Sequence, residues 1–135
     1  MKKTRTLLAA ALPALLLAGC QTWGPTWSEV SGNRFTRTTL DRGPVVIDSV
    51  DGSSTFINNQ RAPVRIEPGK RTLAITGVPL QPGWRGTQQN FVLDAEPCKR
   101  YYVNAQWSNR LGASAWEPVI DYVEGIAGCR LPGAK

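Results

Sequence analysis

The sequence predicts an all-β fold, a small antiparallel β-sandwich of about seven to eight short strands behind an N-terminal leader and a short tether. Three observations carry that expectation. Several short runs alternate apolar and polar residues with period two, the mark of a half-buried strand. Clusters of Gly, Pro, Asp and Asn divide the runs at spacings of eight to twelve residues. No stretch holds a helical period over three turns, so a helical layer is not expected.

Residues 1–19 stand outside the fold. Lys2, Lys3 and Arg5 are followed by an eleven-residue apolar run, Leu7–Leu17, and then by small residues. A membrane span needs about 20 residues, so this run is too short to be one. Leu17-Ala18-Gly19-Cys20 resembles the lipobox of bacterial lipoproteins. The resemblance implies that residues 1–19 are a cleaved signal peptide and that Cys20 becomes the lipidated first residue. Two or more acyl chains there would hold the protein firmly to a membrane. Gln21 is not the aspartate that such lipoproteins use for inner-membrane retention. The resemblance therefore implies an outer-membrane anchor with the domain facing the periplasm.

Residues 20–33 read as the lipidated N-terminus and tether, without a sustained period and rich in Gly, Ser, Thr and Pro. Trp23 and Trp27 sit there with two readings: at the lipid headgroups, or folded back on the domain.

The domain proper is expected over 34–135. Arg34–Leu40 alternates and reads as a strand. Asp41–Pro44 turns. Val45–Asp51 is a second strand, and Asp51-Gly52-Ser53-Ser54 is a strong hairpin cue. Thr55–Asn58 is a short strand. In Pro63–Pro68, Val64 and Ile66 oppose Arg65 and Glu67; in Arg71–Thr76, Leu73 and Ile75 share a face. Pro68-Gly69 between these runs suits a type II turn, so the two are expected to pair as a hairpin. Gly77–Gly86 holds two Pro and three Gly and is loop. Thr87–Ala95 is a strand with Gln89, Phe91 and Leu93 on one face. Arg100–Ser108 alternates cleanly, with Tyr101, Val103, Ala105 and Trp107 together. Ala115–Gly125 is the last strand, and Pro118 places it at an edge or bulge.

Composition narrows the function. Loss of residues 1–19 removes three of the 16 basic residues and none of the 10 acidic ones, leaving +3. Ten of the 13 remaining cations are Arg, dispersed from Arg34 to Arg130. Neither the balance nor the dispersal suggests a nucleic-acid partner. With Cys20 lipidated, Cys98 and Cys129 remain, and in an oxidising compartment such a pair is expected to be a disulfide. A metal or redox pair is the other reading; there is no CxxC and no His to support it.

Val46–Gly52, the run PVRIEPGKRTLAI and the later FVLDAEPCKRYYVNA together resemble small bacterial envelope domains of the PEGA and transthyretin-like (carboxypeptidase regulatory-like) kind, over residues 45–107. The resemblance implies a sandwich and a non-catalytic role, with no cofactor. It departs at Cys98, where such domains often carry Gly.

Without His there can be no His-based triad, general base or zinc site. Carboxylate pairs remain, Asp94 with Glu96 and Asp121 with Glu124, but solvated charges account for both. No catalytic or metal residue is therefore expected. Asp48-x-x-Asp51-Gly52-Ser53 lacks EF-hand spacing. Four residues are candidates for binding. Trp84 and Arg85 lie in the Gln81–Gly86 loop, where Trp84 is either a contact residue or a plug over the sandwich end. Lys70 and Arg71 follow the Pro-Gly turn, where they either bind or keep the turn soluble. The expected function is that of an interaction or structural module docking on an envelope protein. The alternative is a glycan- or peptidoglycan-binding module that stacks sugar on Trp84 or Tyr102. An enzyme built on a carboxylate dyad is the third reading.

Overall fold

The computed structural model describes residues 26–33, 35, 38–55, 62–83, 85–109, 115–131 and 133. Eight strands follow in chain order: β1 (Ser28–Ser31), β2 (Arg42–Val50), β3 (Ser53–Ser54), β4 (Val64–Ile66), β5 (Gly69–Gly77), β6 (Gln88–Ala95), β7 (Lys99–Trp107) and β8 (Trp116–Gly125). No described residue is helical. The all-β class read from the sequence is the class of the structure.

All the strands join one sheet in the order β4-β1-β7-β2-β5-β6, with β3 on β2 and β8 on β7. The pairings are antiparallel except that of β1 with β7. The sheet folds over at β2. Arg42–Pro44 pair with β7, whereas Val45–Val50 pair with β5. One layer is thus β4-β1-β7-β8, and the other is the rest of β2 with β3, β5 and β6. The corner needs Gly43: a Cβ there would meet the Leu80 side chain at 2.9 Å and Trp107 Nε1 at 3.1 Å.

The core lies between the layers. Leu73, Ile75 and Leu93 from one layer face Val103, Ala105, Tyr101 and Trp107 from the other, all buried. Burial of each large aliphatic side chain here contributes about 1.5–3 kcal/mol. At one end Trp116 packs tilted against Trp107, with ring centroids 6.1 Å apart. Its indole N–H donates to Thr87 Oγ1 at 2.8 Å, and its carbonyl accepts from Gln89 Nε2 at 2.8 Å. These bonds tie the start of β8 to the start of β6. At the other end the Cys98–Cys129 disulfide joins the β6–β7 turn to the tail after β8, with Cα atoms 5.4 Å apart.

Four expectations are corrected. Ser28–Ser31 is not tether but a fully buried strand, held between β4 and β7. Its polar residues gave no apolar period, yet each is satisfied: Ser28 Oγ donates to Glu96 O at 2.7 Å, and Glu29 accepts from Arg100 Nε at 2.7 Å. In 34–40, the described residues Phe35 and Thr38–Leu40 are not strand. After the Asp51-Gly52 turn the return strand is Ser53–Ser54 rather than 55–58; residues 56–58 lie outside the described ones. Finally, β4 and β5 are not a hairpin. β4 pairs β1, and β5 pairs β2 and β6. Gly69, with φ +104°, takes the positive φ the sequence suggested, but the turn carries the chain from one layer to the other.

Candidate interaction surface

Among the described residues, Lys70, Arg71 and Arg85 do not converge. Lys70 and Arg71 are neighbours on β5 and therefore point to opposite faces. Lys70 is exposed, opposite Asp94 of β6. Arg71 is a corner clamp. It donates to Glu67 O and Pro68 O, each at 2.9 Å, and pairs with Asp51 at 3.1 Å. The N–H of Thr72 and the Arg71 guanidinium hold the Asp51 carboxyl below its ordinary range. Beside this clamp lies an open cleft of about 310 Å³, bordered by Asp51, Ser53, Thr55, Val64 and Arg65. Arg85 is exposed just before β6, and Trp84 lies outside the described residues. Cys20 and Trp23 also lie outside them.

Trp27 follows the second of its two readings. Arg65 sits 4.7 Å above its ring, and its indole N–H donates to Glu29 Oε1 at 3.1 Å. Its carbonyl accepts from the N–H of Cys98 at 2.8 Å. The chain thus enters the domain at the disulfide end. Cys98 itself has φ +59°, the left-handed region glycine favours.

Asp121 and Glu124 sit in separate networks. Asp121 was expected to be exposed, but its side chain is fully buried against Arg42 Nη1 at 2.6 Å. The register of β8 on β7 shifts between Tyr102 and Val103, which bulges Asp121 out of the ladder. Glu124 belongs to a separate network: it accepts from Arg100 at 2.8 Å and from Tyr102 OH at 2.9 Å. Burial, and then the bond to Glu124, push the Tyr102 phenol above its ordinary range. Glu29 foremost, then Tyr102 and Glu124, raise that of the Arg100 guanidinium. Among the described residues no three His, Cys, Asp or Glu side chains cluster as metal ligands would.

The bulge exposes a surface that the sequence did not announce. Opposite residues of an antiparallel pair share a face. Trp116, Ile120 and Val123 stand opposite Trp107, Val103 and Tyr101, so all three look toward the core. Trp116 is buried at 3% exposure, yet Ile120 is 46% and Val123 40% exposed. Thr87 and Gln89 bond the start of β8, and among the described residues no such side-chain bonds reach Ile120 or Val123. On the outer face Tyr122 stacks on Phe35, with centroids 3.9 Å apart and planes 6° from parallel, and Tyr102 tilts against Phe35 at 5.1 Å. Tyr122 and Phe35 remain 42% and 46% exposed. The second half of β8 therefore presents apolar side chains on both faces, beside the Arg100–Glu124 pair.

Comparison of the chain with family models, curated proteins and solved structures finds no match.

Proposed function

We propose that this protein is a non-catalytic lipoprotein, anchored in the outer membrane through Cys20, whose sandwich docks an envelope protein along the second half of β8. One observation supports the docking reading above the rest: core-facing Ile120 and Val123 stay exposed while their partners Val103 and Tyr101 are buried. Apolar side chains left uncovered beside an aromatic stack, with a charged rim, are the composition of a protein contact. The lipobox resemblance supports the anchor. Residues 20–25 would link it to Thr26, a reach of about 20 Å at full extension, so the disulfide end would face the membrane.

A second reading has its own observation. Tyr102 and Tyr122 lie beside Glu124 and Arg100, which pairs a stacking ring with groups that hydrogen-bond hydroxyls, as a glycan site requires.

The test is a photo-crosslinking residue in place of Tyr122 in the full-length protein in living cells. A discrete adduct with another envelope protein is the expected result. Adducts with muropeptides would replace the docking reading by the glycan one, and the absence of any adduct would defeat both.

A further inference from the structure

We propose that β6 is the pairing edge of a homodimer, joined antiparallel to β6 of a second copy about a twofold axis at Val92. β6 hydrogen-bonds β5 on one side, and no strand among the described residues pairs its other side. An open edge is a template for another strand unless it is short, bulged, or carries Pro or charge. β3 and β4 have two and three residues. β8 has Pro118, the bulge at Asp121, Glu117 and Glu124. β6 has eight residues in unbroken register, no Pro, and Asp94 as its one charge.

The register follows from the backbone. The N–H of Gly77 donates to Thr87 O at 3.2 Å, so residue 87 turns its backbone groups toward β5. Alternation then turns those of 89, 91, 93 and 95 the same way. The groups of Gln88, Asn90, Val92 and Asp94 point to the open edge. A twofold on a residue keeps inner faces with inner faces, whereas a one-residue slip would invert them.

Centring on Val92 pairs its edge-directed N–H and C=O with those of the other Val92. It also sets Asn90 opposite Asp94 on both sides of the axis. Val92 is 62% exposed and would meet its own copy. Asn90 can donate its amide to the Asp94 carboxylate, so no like charges face each other. Centring on Phe91 would instead set Gln88 against Asp94 and Asn90 against Val92. That register would face each exposed Val92 with a polar Asn90 instead of its own copy, and the Gln88 amide it would set against Asp94 already donates to Asp48 at 2.9 Å. On β8, an axis between Ile120 and Asp121 would bring Glu117 onto Glu124. The structure thus selects a second copy for β6, in one register. This holds whether or not β8 docks a partner.

The test uses the full-length chain. Facing Val92 residues would have Cα atoms about 5.5 Å apart, inside the roughly 4.4–6.8 Å range of disulfides. Val92→Cys should therefore give a covalent dimer on oxidation in the cell envelope. By sedimentation equilibrium in density-matched detergent, the unsubstituted chain should be a dimer. Asn90→Asp, which sets carboxylates face to face, should weaken it at least tenfold. Adding Asp94→Asn to that variant should restore it, which a mere folding defect would not allow. A monomer by sedimentation, a Val92→Cys chain that bonds only a different protein, or the failure of Asp94→Asn to restore the dimer would overturn the proposal.

Discussion

β6 and β8 border the same open flank of the sandwich, yet they are built in opposite ways. β6 is regular and nearly uncharged, with one exposed apolar side chain at its middle, Val92. β8 is interrupted by Pro118 and a bulge, carries Glu117, Asp121 and Glu124, and crowds its exposed side chains into its second half. A backbone edge with few side-chain signals suits strand pairing. A broken edge with aromatic and aliphatic side chains on both faces suits contacts through side chains. The fate of an exposed strand is thus set by its irregularities as much as by its hydrophobicity.

The first way to break this arrangement is to cut the link between the two edges. Trp116→Ala removes the indole that bonds Thr87 and the bulk that fills the end beside Trp107. It should cost about 3–5 kcal/mol in urea unfolding. Next is the opposite end. Replacing Cys98 and Cys129 together by Ser should cost about 3–4 kcal/mol by the chain-entropy argument for such a loop, measured by unfolding with and without reductant. A smaller change sharpens the contrast. Pro118→Val should alter stability by less than about 1 kcal/mol, since the site is on an edge. It should nevertheless add concentration-dependent association beyond the dimer, visible by light scattering, because β8 would lose part of its protection.

The smallest effect lies away from both edges. The Asp51 carboxyl is held below its ordinary range by Thr72 and Arg71. Its stabilisation is therefore complete above the unfolded value of about 4 and is lost as pH falls through the lower folded value. Asp51→Asn should flatten the acid limb of a melting-temperature profile below pH ~4 and leave the profile above pH ~5 parallel to that of the unsubstituted chain.

Much of the fold was legible because burial follows alternation. Tyr101, Val103, Ala105 and Trp107 are buried together, as are Leu73 and Ile75, and Leu93 lies on the face read for it. The disulfide was legible from the count of cysteines. β1 was not, because Ser28, Glu29 and Ser31 are buried through hydrogen bonds, which leave no apolar period. The β4–β5 hairpin was misread because local turn chemistry marks a reversal without saying whether the two arms pair. The surface on β8 was hidden by its bulge, which moves Ile120 and Val123 to one face although their spacing in sequence is three. Lys70, Arg71 and Arg85 were chosen for charge and loop position. Arg71 is spent on the corner and Lys70 looks the other way, so composition alone could not show that they do not form a site.

The most direct test of two edges with two uses is to place the same photo-crosslinking residue at position 92 or at position 122 of the full-length protein, in the same cells. Position 92 should give an adduct of twice the chain's mass, and position 122 an adduct with a different protein. The same adduct from both positions, or none from 122, would rule out two separate uses.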